Sequence, residues 1–320
     1  MEHGIVEETR LGTVTSAAEP VTIHYQYPKQ HVLLNPVRDA NPFFHLMEAM
    51  WMLAGRQDGT FLDHYVKGFS EKYGSYGIIM DAYGFRWKYG FRFDQLKELI
   101  NQLRKNPSTR QAVLQMWNGS NDLRSELAKP CNLVITFRIV GNALDMTVFN
   151  RSNDLIWGCC GANAVHFPIL QEYMASKVGV VMGEYWQVST NLHFYKDHYE
   201  MLQKRADKSE QVRSMEWHLA DITGMYGPTM PLMEYPEQFD TDLGETMAWL
   251  DEVHRGGEDI YTGDIANPFL RDVVIPMARA HHLYKKKCWT WAAEEIESVK
   301  AEDWKQAGKE WLERRHASGR

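Results

Sequence analysis

Cys131 follows Pro130 directly and opens a stretch of alternating apolar residues, which places its thiol at a strand end where it can border a cleft. A cysteine there is inert packing unless a nearby cation favours the thiolate, the reactive form. Arg151-Ser152-Asn153-Asp154 offers one, with a guanidinium, a hydroxyl and a carboxylate in four residues. Arginine and serine together can hold a phosphate; taken alone, the tetrapeptide reads as a surface turn with a salt bridge. Glu48 stands in PFFHLMEAMWML, a run with no evident solvent face. A carboxylate in such a place is paired, protonated or functional, because burial without a partner is costly. His193, Phe194, Tyr195 and His198 form a polar and aromatic cluster that could bind a sugar hydroxyl. As a metal site the cluster is weak, since His193 and His198 do not share a helix face. The adjacent pairs His281-His282 and Cys159-Cys160 diverge on any regular backbone and receive no role.

These residues need elements to position them. Residues 42–55 read as a buried helix opened by Pro42 and closed by Gly55, and 93–105 as an amphipathic helix stopping before Pro107. Residues 111–117 look like a strand, and 132–140 with 144–149 make an antiparallel hairpin around Gly141-Asn142. A long apolar helix covers 163–178, with Pro168 bending it or setting its first turn, and a strand follows at 184–191. After about residue 205 the style changes to the Gly- and Pro-rich GMYGPTMPLMEYP and then to helical patterns near 241–254, 268–284 and 301–315. That region is a small helical subdomain or a cover over the main fold.

With 44% hydrophobic side chains over 320 residues, the chain can bury the core of one large α/β domain or of a domain with an appended subdomain. The net charge of -7 arises from interspersed residues without a basic block, which argues against polymeric nucleic acid and leaves mononucleotides open. No apolar run approaches the roughly 20 residues of a membrane span, and MEHGIVEETR lacks the apolar core of a signal peptide, so the expected location is cytoplasmic. The four cysteines lack zinc-site spacing and are too few for a disulfide framework, so free thiols and no metal are expected.

Taken in order, Pro130-Cys131, a strand pair, Arg151-Ser152-x-Asp154, Gly158, Asn163 opening a helix, and His193-x-Tyr195-x-x-His198 resemble the thymidylate synthase superfamily. Its members include the deoxypyrimidine nucleotide hydroxymethylases of bacteriophages. Arg10-x-Gly12-Thr13, Glu48 in EAMWML, Tyr83-Gly84 with Trp87, and Pro107-x-x-Arg110 before Trp117-Asn118 agree with that order, and the resemblance spans roughly residues 10 to 200. It implies an α/β (α+β) fold, a mixed, mainly antiparallel sheet packed by long helices, with two sheets back to back across a homodimer interface. The catalytic core would occupy 1–205 and a helical extension 206–320. By the resemblance, Cys131 attacks C6 of the pyrimidine, Glu48 manages protons at the ring through ordered water, and Tyr83 helps remove the C5 proton. Asp154 serves catalysis and folate binding, and Phe69 borders the folate. Arg10, Arg151 and Ser152 hold the 5′-phosphate, joined by Arg110 from the other subunit. His193 and Tyr195 bind the 3′-hydroxyl, and Asn163 reads the base, because a carboxamide can accept from N3–H and donate to O4 of uracil. The implied co-substrate is 5,10-methylenetetrahydrofolate.

Four departures matter. Gln111 replaces the second arginine of the family's phosphate pair, and one extra residue separates Gly158 from Asn163, with Ala162 as the ungapped alternative. Phe69 stands near a position where synthases carry tryptophan; a smaller ring shields the reacting methylene less from water. In place of the synthases' short apolar tail, the sequence has a charged helical pattern and HASGR. The expectation is therefore hydroxymethylation of dUMP, suited to a phage that replaces thymine in its DNA and to the host cytoplasm. The alternatives are dTMP synthesis and dCMP as substrate. From other classes come a cysteine hydrolase using Cys131, His193 and Asn191, and a silent homologue that only binds nucleotides.

Overall fold

A computed structural model describes residues 4–208, 229–257 and 263–319. Strands β1 (Ile5–Thr9) and β2 (Gly12–Ser16) form a hairpin whose turn carries Arg10, and β3 (Val21–Tyr25) follows. Helix α1 (Pro42–Leu53) starts where Asn41 accepts a hydrogen bond from Phe44 N–H, with Pro42 in the first turn, where its missing donor costs nothing. Almost all of its side chains are buried. Three short helices, α2 (Gly59–Leu62), α3 (Phe69–Tyr73) and α4 (Tyr83–Lys88), lead to the amphipathic α5 (Gln95–Lys105), capped by Asp94. Gly84 permits the close approach of α4 to α1, because a Cβ there would run into the Met52 carbonyl. That contact sets the depth of Tyr83.

Strand β4 (Val113–Gln115) and the single-turn helix α6 (Gly119–Asp122) precede the hairpin of β5 (Asn132–Val140) and β6 (Ala143–Asn150), which turns at Gly141 with φ 62°. After the two-residue β7 (Asn153–Asp154) comes a kinked π-helical turn, Leu155–Ala162, with non-helical backbone at Cys160 and Gly161. Helix α7 (Asn163–Val178) then continues past Pro168, so this proline lies inside the helix and does not set its first turn. Strands β8 (Val181–Ser189) and β9 (Leu192–Tyr195) and helix α8 (Lys196–Lys208) complete this part.

The strands make two sheets, β3-β8-β6-β5-β4 and β1-β2-β9-β7. Among the described residues only the β6–β8 and β7–β9 pairs are parallel, so the arrangement is mixed and mainly antiparallel, as expected. In β6 every second residue is buried, and Leu144, Met146 and Val148 face the core while Asp145 and Thr147 face away. At the end of this inner face the row changes from apolar to polar: Asn132, Asn150 and Ser189 lie in register and are buried.

The helical patterns near the end of the chain are α9 (Phe239–His254), α10 (Ile275–Lys285) and α12 (Glu302–Ala317); α11 (Trp289–Glu297) is an additional helix. Their apolar residues join the same core as α1 and α7: Trp311 meets Phe43 edge-on at 5.4 Å and Phe239 meets Tyr173 at 5.9 Å. Of GMYGPTMPLMEYP, the first part lies outside the described residues. No helix among the described residues is long and apolar enough to cross a membrane.

Candidate active site

Cys131 is exposed, just ahead of β5, where the β5–β6 register shifts between Asn132 and Val134. Such a bulge re-aims the side chains beside it. The cysteine loop is held from two sides. Arg151 N–H donates to the Cys131 carbonyl at 2.9 Å, and the Arg151 guanidinium donates to the carbonyls of Pro130 and Lys129, both at 3.0 Å. Asn132 N–H reaches the Tyr83 hydroxyl at 3.4 Å. Although solvent can reach the thiol, enclosure by protein raises it above its ordinary value; Arg151 pulls it down, and Asp81 and Asp154 push it up again. Enclosure likewise raises the Tyr83 phenol, with Cys131 and Asp81 adding to the effect. In the free protein both groups therefore hold their protons at neutral pH.

Asp154 caps the kinked turn by accepting from Ile156 N–H at 2.8 Å and Trp157 N–H at 3.0 Å. Its second oxygen lies 3.9 Å from His198 Nδ1. Trp157 Nε1–H donates to that same nitrogen at 2.7 Å, so neutral His198 carries its proton on Nε2. Arg38 stacks on the Trp157 indole at 3.7 Å and donates to the Ile156 carbonyl at 3.2 Å. Burial lowers Arg38 to about 10, against the pull of Asp154. Tyr195 packs edge-on between His193 and His198. Partial burial raises its phenol, Asp154 and Cys131 add to this, and Arg10 opposes it, so all three lie within electrostatic reach of Tyr195. His193 Nδ1 pairs with Asn191 Oδ1 at 3.0 Å.

Asn163 opens α7 and passes its side-chain N–H to Asn153 Oδ1 at 3.0 Å. Gly158 closes over this pair, since a Cβ there would stand 2.7 Å from Asn153 Oδ1. Between Gly158 and Asn163 the chain makes a π-type turn, in which Asn163 N–H reaches back to the Gly158 carbonyl. The kink also brings the Cys159 and Cys160 thiols into contact, which the divergence of neighbours on a regular backbone does not anticipate.

Glu48 projects from α1 toward α7, where its Oε2 lies 3.4 Å from His166 Nε2. That nitrogen is also 3.2 Å from the His45 carbonyl, which can only accept, so it carries the proton. Desolvation pushes Glu48 up to about 8 and His166 down to about 4. Both are neutral at pH 7. The Phe44 ring links this corner to Phe69, at 5.4 Å.

Cys131, Tyr83, Arg151, Asp154, Tyr195 and Arg10 thus share one region, while Glu48 has its own corner with His166. Arg110 is exposed and makes no hydrogen bond or ion pair among the described residues, and Ser152 has no hydrogen-bond partner among them. Arg38, Trp157, His166, Tyr185 and Gln187 escape sequence reasoning. For His166 a signal existed, a histidine inside an apolar helix, as for Glu48; Arg38 sits in a segment without periodicity. No group of three or more His, Cys, Asp or Glu side chains among the described residues could hold a metal ion.

This fold, with a cysteine ahead of a bulged strand, an arginine fastened to its loop and a capped turn leading into an asparagine-headed helix, defines a class. The thymidylate synthase family pattern matches residues 1–231, and the chain belongs to that family. Within the family it is 41% identical to the deoxyuridylate hydroxymethyltransferase of Pseudomonas phage M6, over 99% of this chain and 89% of that protein. It is 36% identical to the enzyme of the same name from Bacillus phage SP01 over 56% of this chain and 50% of the relative. The bifunctional dihydrofolate reductase-thymidylate synthase of Paramecium tetraurelia is 26% identical, over 65% of this chain and 50% of its own length.

Proposed function

We propose that this protein transfers a one-carbon unit from 5,10-methylenetetrahydrofolate to C5 of dUMP and releases the 5-hydroxymethyl nucleotide. The observation that carries this reading is the near full-length similarity to a phage deoxyuridylate hydroxymethyltransferase; the fastening of the Cys131 loop by Arg151 supports it.

The Cys131 thiolate forms a bond to C6, which makes C5 a carbon nucleophile. Arg151 favours the thiolate while fastening its loop, and the dianionic phosphate is held by Arg10, Arg151 and Ser152, with Arg110 added from a second subunit. His193 and Tyr195 bind the 3′-hydroxyl. Bound folate supplies the one-carbon unit that C5 takes. Tyr83, beside the cysteine loop, takes part in removing the C5 proton, and Glu48, with a value of about 8, passes protons at the ring through water. Loss of that proton, with cleavage of the bond from the one-carbon unit to the folate nitrogen and departure of tetrahydrofolate, leaves an exocyclic methylene; water adds to it, gives up a proton, and the bond between Cys131 sulfur and C6 breaks to free the enzyme.

The walls suit a flat conjugated ring. The Trp157 indole is exposed, backed by Arg38 and fixed at its edge by His198, and Lys72 of α3 stands close enough to act on His198. Asp154 and Phe69 belong to the same folate side, and the smaller ring at Phe69 favours water over hydride as the final reactant. The homodimer is supported by the outer face of the larger sheet, where Val113, Val134, Phe149, Trp186 and Val188 are all partly or fully exposed. A catalytic core over 1–205 with a helical extension over 206–320, the cytoplasm of a phage host, and a role in DNA modification complete the proposal.

The test is incubation of purified protein with dUMP and methylenetetrahydrofolate, with mass spectrometry of the nucleotide. A gain of CH2O is expected without dihydrofolate. A gain of CH2 with dihydrofolate would make the protein a synthase, and no product from a folded dimer would make it a silent homologue.

A further inference from the structure

The Asn163 carboxamide belongs to a closed hydrogen-bond ring whose direction is forced. The Asn163 main-chain carbonyl can only accept, and it accepts from the Tyr185 hydroxyl at 3.1 Å. With its proton committed, the Tyr185 oxygen accepts from Gln187 Nε2. Gln187 must then turn Oε1 the other way, where it accepts from Asn153 Nδ2 at 2.7 Å and Asn150 Nδ2 at 3.3 Å. Asn153 Nδ2 also donates to Ser189 Oγ at 3.0 Å, which leaves Asn153 Oδ1 facing Asn163. Asn163 therefore has to present an N–H to the ring. Its Oδ1 and its second N–H have no partner among the described residues and are left for a ligand.

Asn150, Asn153, Tyr185, Gln187 and Ser189 are buried, so water cannot relieve a reversed carboxamide. Serine can donate or accept, and the four carboxamides could all flip together with every bond between them kept. Only the Tyr185 hydroxyl, answering to a main-chain carbonyl, distinguishes the two directions.

We propose that Tyr185, acting through Gln187 and Asn153, is a positioning residue that fixes which way the Asn163 carboxamide faces and so sets the preference for uracil over cytosine. The proposal rests on Asn163 being the base reader. An outward oxygen accepts from N3–H and the outward N–H donates to O4, whereas cytosine offers an acceptor at N3 and a donor at C4. A reversed ring would interchange these outward groups.

The experiment measures KM and kcat for dUMP, and Ki for dCMP as competitor, in the intact protein carrying Tyr185→Phe, Gln187→Glu or Asn163→Ala, with thermal melting to verify folding. Tyr185→Phe is expected to raise the KM for dUMP and lower the preference over dCMP, each by about ten-fold, with a smaller change in kcat. Gln187→Glu is expected to keep the preference, because a carboxylate can only accept from Asn150 and Asn153 and so preserves the direction. If Tyr185→Phe does not fold, Gln187→Met cuts the same ring and carries the same expectation. A folded ring-cutting variant with wild-type preference, beside an Asn163→Ala that loses it, overturns the positioning role and leaves the base reader standing. Wild-type preference in Asn163→Ala removes the base reader itself, and the ring's role with it.

Discussion

The surroundings of Asn163 and of Arg151 differ in how many polar groups are already used. Around Asn163 the side chains of five buried residues satisfy one another, and only one face of one carboxamide is left over. Around Arg151 the guanidinium holds the cysteine loop, Ser152 has no partner among the described residues, and Arg10 and Arg110 are exposed. Reading a base means choosing between hydrogen-bond patterns, which requires donors and acceptors fixed before the ligand arrives. Holding a phosphate requires only converging positive charge, and flexible arginines satisfy that when the anion binds. Rigidity is spent where the protein must discriminate.

The largest effect should come from Cys131→Ala, with a loss of turnover of at least about 10^4-fold and nearly unchanged dUMP affinity by calorimetry. A large loss of affinity instead would mean that the cysteine loop is as organised in binding as the Asn163 ring. Because the thiol is raised in the free protein, its alkylation should be slow at pH 7 and quicken with pH, and dUMP should protect it.

Glu48→Gln should lower kcat by about 10^2-fold or more while stabilising the fold. The native carboxyl binds its proton up to about pH 8, against an unfolded value near 4.5, so the folded state holds more protons in between. Stability then falls as pH rises through that window, and Glu48→Gln should flatten the slope, with a gain of roughly 1–3 kcal/mol at pH 8 by chemical denaturation. A slope unchanged by the substitution would place the titrating group elsewhere.

Arg110→Ala should raise the KM for dUMP by about ten-fold with little effect on melting temperature, since no hydrogen bond or ion pair among the described residues is lost. Mixed with Cys131→Ala, it should recover activity if Arg110 acts across a dimer; no recovery would return Arg110 to its own subunit. Ser189→Ala should be mildest, at about 0.5–1.5 kcal/mol of stability, because Asn153 keeps its bond to Gln187 and the direction of the ring survives. A change in dUMP preference there would show that Ser189 helps set the direction.

Much of the framework was legible along the chain because it depends on local pattern. Pro42 after Asn41 opens α1, the alternation in 132–149 gives the β5–β6 hairpin, and an apolar helix around Glu48 marks that carboxylate as unusual. The Cys131 and Arg151 segments were legible as candidates for the same reason, each carrying its reactive groups within a few residues. The partners that give those groups their properties were not. Arg38 meets Trp157, His166 meets Glu48, and Tyr185 closes a ring with Asn153 and Gln187 only because β8 lies beside β6 and α7 packs over α1. The sequence by itself determined several of the helices, the hairpin and the family of the reaction, since periodicity, capping and motif order are local and additive. Only the tertiary structure decided the protonation of Glu48 and the facing of Asn163, because desolvation and hydrogen-bond direction depend on what comes to lie against a group from far along the chain.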